Sequence, residues 1–329
     1  MKRKLSLLLV LVLVFAIAMT ACNKTEDNTE GDEPAAPVNI KMATGGTTGT
    51  YYAYGGVVGT LFSDKIEGLT VDVQSTGASA ANINLISDNE VQVAIVQNDV
   101  LDYAYNGTDL FDGNKLEGFS SMAACYAEVC QIVANPSSGI TTVADLAGKN
   151  VSVGDAGSGV EFNSRQILEA YGLTFDDINV WNLGFGDSAS ALKDGKIDAF
   201  FCTAGAPTTA ITELATTNSI VILNVDGEEA AKLIESYPFY TSYSIPANTY
   251  KGMTEDATTV AVKATFIVNN ELSEDLVYNM TKTLFECKED VVAGNAKGSE
   301  LDPAYAVEGV SVPFHPGAEK YFKEVGVLG

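Results

Sequence analysis

Histidine is almost missing from this sequence: His315 is the single one in 329 residues. It stands in Pro313-Phe314-His315-Pro316-Gly317, a loop ahead of a short terminal helix, where a structural hydrogen bond is expected. With no partner histidine and no Gly-x-Ser-x-Gly, a Ser/His/Asp hydrolase has no residues to rest on. Basic residues are scarce too, 19 Lys and Arg against 43 Asp and Glu, for a formal charge of −24. Nucleic acid needs clustered cations at its phosphates, so it is excluded as a partner. Once Cys22 is set aside, Cys125, Cys130, Cys202 and Cys287 match no common zinc spacing, and neither a metal nor another cofactor is expected. Cys125 and Cys130 are five apart and in an extended segment point to opposite faces, which favours buried free thiols over a disulfide. No stretch after the N-terminus is apolar for long enough to span a bilayer. Apolar material for a core is plentiful: 46% hydrophobic with 19% charged residues excludes a disordered chain.

The N-terminus reads as an export signal. Lys2-Arg3-Lys4 is followed by an apolar run from Leu5 to Ala18 and by Met19-Thr20-Ala21-Cys22, with small residues ahead of the cysteine. The segment resembles a bacterial lipoprotein signal, residues 1–21, with Cys22 as the lipidated first residue of the mature chain; Met19 stands where that motif usually has Leu. Residues 22–37 are polar, acidic and closed by prolines, a flexible tether.

From Asn39 onward, short apolar runs alternate with helical segments, which argues for an α/β class with largely parallel sheets. Strands are expected at 40–43, 69–74, 91–96, 151–153, 178–181, 197–202, 220–223 and 260–268. Helices are expected at 51–62, 78–86, 159–170, 189–193, 208–214, 275–286 and 317–325. Leu69 to Asp99 can be laid without gaps on Phe175 to Gly205. Each half then reads strand, glycine loop, helix, strand, helix, strand, and two such lobes make a clamshell. The expected division is 38–125 with 246–329 as lobe I and 126–245 as lobe II.

In open α/β sheets the ligand crevice lies at the carboxyl ends of strands, where helix N-termini present free N–H groups and a positive dipole end. Two glycine loops fit that place, Thr44-Gly45-Gly46-Thr47-Thr48-Gly49-Thr50-Tyr51-Tyr52 and Gly154-Asp155-Ala156-Gly157-Ser158-Gly159-Val160-Glu161. Ser158 and Glu161 also form the Ser-x-x-Glu pattern of a capping box. Neither loop ends in Gly-Lys-Ser/Thr, so neither is a P-loop. The strand ends add hydrogen-bonding groups, Ser75-Thr76-Gly77, Gln97-Asn98-Asp99, Asn182 and Thr203-Ala204-Gly205-Ala206-Pro207, which orient a small polar ligand without cleaving it. Arg165, the only arginine after the export segment, stands two turns into the second helix, where it can pair with Glu161, solvent or a ligand carboxylate.

Taken together, Thr44–Tyr52, Gln74–Ala78, Ala94–Gln97, Gly157–Glu161, Asp198–Phe201, Ala204–Pro207, Ile245-Pro246 and His315–Ala318 resemble motifs of the TAXI family, the extracytoplasmic solute receptors of TRAP transporters. The likeness spans nearly the whole body in order; Val160 departs from it, standing where Thr is common. The resemblance implies a two-lobed periplasmic-binding-protein fold, type II-like, with a hinge between the lobes. It implies capture of a small carboxylate such as glutamate or a 2-oxoglutarate-like dicarboxylate, and a membrane permease as partner. The ligand-contacting candidates it carries over are Gly46, Thr47, Tyr51, Ser75, Thr76, Gln97, Asn98, Ser158, Glu161, Thr203, Gly205 and Pro207. No catalytic residue is expected. The protein is expected to be a monomer on the outer face of the cell membrane, held by acyl chains at Cys22. The alternative is a ligand-sensing lipoprotein that reports to a signalling partner.

Overall fold

The computed structural model describes residues 37–329; the export segment, Cys22 and the tether up to Ala36 lie outside the described residues. The described residues form ten strands, most of them separated by helices: β1 (Val38–Ala43), β2 (Leu69–Gln74), β3 (Val93–Gln97), β4 (Phe119–Ala134), β5 (Asn150–Ser152), β6 (Asn179–Trp181), β7 (Ala199–Ala204), β8 (Val221–Leu223), β9 (Thr241–Ile245) and β10 (Ala257–Asn269). The helices are α1 (Thr50–Lys65), α2 (Ser79–Ser87), α3 (Asn98–Asn106), α4 (Gly159–Ala170), α5 (Phe185–Lys193), α6 (Thr209–Thr217), α7 (Gly227–Ser236), α8 (Glu274–Glu286), α9 (Lys288–Gly294), α10 (Pro303–Val307) and α11 (Pro316–Glu324).

The sheet order is β2-β1-β3-β10-β4-β7-β5-β6, with β8 added to β4 and β9 to β10. It reads the same from both ends. β1 pairs in parallel with β2 and β3, as β5 does with β6 and β7. β10 then closes the first trio and β4 the second, each antiparallel to its neighbour. The sheet is therefore mixed, where the alternating pattern alone led to a largely parallel one. The internal repeat has a structural counterpart: α5 (Phe185–Lys193) lies 106 positions after α2 (Ser79–Ser87), and β7 starts 106 positions after β3.

β4 and β10 pair along most of their length, with register shifts at Ala264/Thr265 and Phe266/Ile267, and both pass between two groups of cores. Met122, Cys125 and Tyr126 of β4 pack with Tyr54, Phe62 and Phe266 in the first, whereas Cys130, Ile132 and Ala134 pack with Ile167, Phe201 and Leu223 in the second. β10 returns the same way, Val260 and Val262 in the second core and Ala264, Phe266 and Val268 in the first. Along β10 the side chains change from the second core to the first between Val262 and Ala264. β4 is buried on both faces, so it carries no alternation of apolar and polar residues to betray it as a strand. Cys125 and Cys130 end in different cores, and all four cysteines of the body are free thiols.

Helix starts follow local chemistry. Ser158 Oγ accepts from the Glu161 N–H at 3.3 Å and Ser273 Oγ from the Leu276 N–H at 3.2 Å, the capping bond that short hydroxyl side chains make at N-caps. His315 caps α11: its Nδ1 accepts from the Gly317 N–H at 3.3 Å while Nε2 lies 3.1 Å from the Leu272 carbonyl. Burial holds its pKa below the usual histidine value. Among the described residues no helix is long and apolar enough to cross a membrane, and no cluster of His, Cys, Asp and Glu could hold a metal ion.

Candidate functional site

Four helix N-termini open on one cleft of about 550 Å³, its mouth included. Gly49 and Thr50 bring the start of α1 to its wall, Ala78 and Ser79 that of α2, Ser158 and Gly159 that of α4, and Gly184 and Phe185 that of α5. The two glycine loops thus meet, and the 106-residue repeat adds a second pair of helix starts to them. Only α4 has its N-cap side chain bonded to its own first turn; α1, α2 and α5 have no side-chain cap. Their first N–H groups are donors without an intrahelical partner, at the positive ends of helix dipoles. Among the described residues nothing basic lines the cleft, and its two ionisable carboxyls are Glu128 on the floor and Asp155 on the exposed loop ahead of α4.

The floor is where β4 passes between the cores. Glu128 is 1% exposed, and its Oε2 accepts a hydrogen bond from the Tyr51 hydroxyl at 2.9 Å. Burial drives its pKa well above the usual carboxylate range; the Tyr51 bond and Lys297 oppose this, and Asp99 adds to it. Lys297 is committed elsewhere, 2.6 Å from Glu300 Oε1.

Beside the floor a buried hydrogen-bond chain ties the two halves together. Gln97, at the end of β3, donates from Nε2 to Asn163 Oδ1 of α4 at 2.6 Å. Asn163 Nδ2 donates to Asp99 Oδ2 at 2.9 Å and lies 2.7 Å from the Tyr240 hydroxyl. Tyr240 donates onward to Gln166 Oε1 at 2.7 Å, and Gln166 Nε2 to the Tyr103 hydroxyl at 3.1 Å. Asp99 Oδ1 is buried without a partner among the described residues, and burial, opposed in part by hydrogen bonds to the carboxylate, raises the Asp99 pKa to about 7. Gly159 is needed for this approach, since any Cβ at that position would overlap the Gln97 amide. Ala78 carries φ 66° and ψ −145° at the start of α2, a backbone state that costs a non-glycine residue on the order of 1–3 kcal/mol.

Of the candidates carried over by resemblance, Gly46, Tyr51, Thr76, Gln97, Ser158 and Thr203 line the cleft. The other six are placed differently. Thr47 is exposed, and Ser75 donates to the Gly45 carbonyl at 2.8 Å, shaping the first loop. Asn98 Oδ1 accepts from the Lys263 N–H at 2.9 Å. Glu161 does not close the capping box onto Ser158: Oε2 accepts from the Gly157 N–H at 2.6 Å and Oε1 from Asn182 at 3.3 Å. The Gly205 carbonyl accepts from Thr50 and Thr208, and Pro207 is exposed after a cis bond. Arg165 is turned away from the cleft and stacks 4.2 Å over the Phe175 ring. Sequence reasoning missed Glu128, Asn163 and the starts of α2 and α5. Glu128 did leave a signal, a lone carboxylate within a 16-residue run of mostly apolar and small residues. Asn163 left none, because its partners Gln97, Asp99 and Tyr240 come from distant parts of the chain.

This architecture, two mirrored α/β halves joined by two long strands with a cleft of helix N-termini between them, is the two-lobed periplasmic-binding-protein fold. Two solved structures show the same fold. PhnD1 from Prochlorococcus marinus, solved with methylphosphonate, has a TM-score of 0.54 at 8% identity, over 87% of this chain and 95% of that one. The alkanesulfonate-binding protein SsuA from Xanthomonas axonopodis pv. citri, bound to MOPS, has a TM-score of 0.50 at 13% identity, over 88% and 84%. The chain belongs to the NMT1-like family, whose model matches residues 42–326.

Proposed function

We propose that the protein is the extracytoplasmic solute receptor of a membrane transporter, and that its lobes, residues 38–125 with 246–329 and residues 126–245, close on a small carboxylate. One observation carries this reading: four helix N-termini converge on a cleft with no basic residue, three of them without a side-chain cap. Each such terminus favours an anion by about 0.3–1 kcal/mol, and more in partly buried geometry. Because the chain carries a formal charge of −24, capture rests on these local donors and not on long-range attraction. The hydroxyls and amides of Tyr51, Thr76, Gln97, Ser158 and Thr203 orient the ligand in this reading. The motif resemblance supports the finer assignment, a TAXI-type receptor delivering a glutamate-like or 2-oxoglutarate-like solute to a TRAP permease, tethered by acyl chains at Cys22. PhnD1 and SsuA, which bind a phosphonate and a sulfonate buffer, lend the fold and not the ligand.

The test is a thermal-shift screen of the purified protein against amino acids, 2-oxo acids, C4–C6 dicarboxylates, phosphonates and sulfonates. A ligand present at about 100 times its Kd stabilises by about 2.7 kcal/mol, a visible shift. A carboxylate hit is expected. A shift only with sulfonates or phosphonates, or with none of the panel, would overturn the carboxylate class.

A further inference from the structure

Within the cleft of the proposed receptor, the mechanism of anion capture leaves Glu128 unused. It is the one fully buried ionisable carboxyl of the lining, its single hydrogen bond among the described residues comes from Tyr51, and it sits under helix starts that attract negative charge. An ionised carboxyl on the floor of an anion site is an obstacle unless the ligand brings it a cation, and a protonated one leaves a buried acid without a strong partner.

We propose that Glu128 determines specificity: its carboxylate receives the protonated amine of an amino-acid ligand, whose own carboxylate takes the open N–H groups of the helix starts. This rests on the carboxylate reading above and narrows it to ligands that carry both charges. The spatial logic is complementary. The anionic end of a zwitterion meets donors in the walls, and its ammonium meets the one acceptor on the floor. A charge-assisted N⁺–H···O⁻ bond inside a dry cleft is among the stronger polar contacts a protein makes.

The empty and filled states differ by one proton. In the empty cleft, burying a carboxylate with one hydroxyl for company is unfavourable, so Glu128 keeps its proton. The groups that face it do not change this. Tyr51, Tyr126 and Tyr305 are neutral, as are the buried thiols of Cys130 and Cys202; Asp99 would only add like charge; and Lys297 is held by Glu300. When the ammonium arrives, the Glu128 O–H bond breaks, its electron pair stays on the carboxylate and the proton leaves to solvent, while the ligand keeps all three of its N–H bonds. Binding of an amino acid therefore releases about one proton at neutral pH, and affinity rises with pH until the ligand amine itself titrates. A 2-oxo acid has no group to replace that proton and releases none.

Matched pairs that differ only in amine against oxo group separate the cases: L-glutamate with 2-oxoglutarate, L-aspartate with oxaloacetate, L-leucine with 4-methyl-2-oxopentanoate. Titration calorimetry of the purified chain in two buffers of different ionisation enthalpy gives Kd and the proton count together. In any pair that binds, the amino acid is expected to bind at least tenfold more tightly and to release close to one proton. Glu128→Gln is expected to lose that preference and the proton release, its folding checked by circular dichroism. An oxo acid that binds as tightly as its amino partner would overturn the proposal and leave the carboxylate reading standing, as would a folded Glu128→Gln protein that keeps the preference. If the variant does not fold, the wild-type pairs and proton count decide alone. Binding of no carboxylate in any pair would overturn the carboxylate reading itself, and this proposal with it.

Discussion

The two halves touch at Gly159, the first residue of α4, which lies against the Gln97 amide from β3. Replacing Gly159 with Ala puts a Cβ where Gln97 Oε1 now sits, and real Cβ atoms keep at least about 3.0 Å from such neighbours. The amide is the end of a flexible side chain, but it is 2% exposed and held by Asn163 at 2.6 Å. Two outcomes are open to it. Either Gln97 swings away and leaves its own amide and Asn163 Oδ1 buried with a lost partner, or α4 backs off and loosens the contact between halves. An unsatisfied buried polar group costs about 1–3 kcal/mol and overpacking costs a similar amount, so a loss of about 2–4 kcal/mol is expected. Urea denaturation reads that loss, and calorimetry with whichever solute the screen identifies should show weakened binding, since both residues line the cleft. Adding Gln97→Ala to Gly159→Ala makes room for the methyl, so the double variant should recover part of the loss, a coupling of about 1–3 kcal/mol. An unchanged urea midpoint for Gly159→Ala, or strictly additive effects in the pair, would refute this account of how the halves meet.

Asp99 should impose a pH dependence on stability. Its folded pKa of about 7 lies above the unfolded value of about 3.9, so its contribution is fully present below pH 4 and is lost as pH rises through 7. The whole swing is at most about 4 kcal/mol, and Asp99→Asn should flatten that part of a urea-midpoint profile; a profile that keeps the same slope argues against a buried neutral Asp99. Ala78→Gly relieves the positive φ ahead of α2 and should stabilise by about 1 kcal/mol despite the added entropy of the unfolded chain, measured as a rise in urea midpoint; destabilisation would mean the strain is absent. Trp181, the single tryptophan, is 38% exposed on β6, three residues before the Gly184 wall of the cleft. Its emission should shift when a ligand closes the lobes, and an unchanged spectrum at saturating ligand would count against closure around β6.

Much of the frame was legible because it is local. Glycine followed by a helix-forming run marks α1 and α4, Ser158 marks the start of one of them, and the gapless overlay of residues 69–99 on 175–205 matches α2 with α5 and β3 with β7. The cysteine spacing predicted free thiols on opposite faces, and the structure has them in separate cores. What failed was either unpatterned or non-local. β4, buried on both faces, has no period of two to read, so the strand that joins the halves and carries Glu128 is invisible to periodicity, and the remaining alternation points to a largely parallel sheet where the real one is mixed. The role of Asn163 exists only because α4 of one half meets Gln97 at the end of β3 and Asp99 in α3 of the other.

Composition, the repeat and the helix-start chemistry by themselves determined the α/β class, its two similar halves and the paired glycine loops. Those properties follow from residue type and spacing along the chain. Tertiary structure alone decided that four helix starts share one cleft, that Arg165 turns away from it toward Phe175, and that the floor is a buried acid. The shared cleft and its acidic floor depend on residues far apart in sequence meeting where β4 and β10 pass between cores, and there the burial that raises the Glu128 pKa is created by packing and by nothing in its neighbours along the chain.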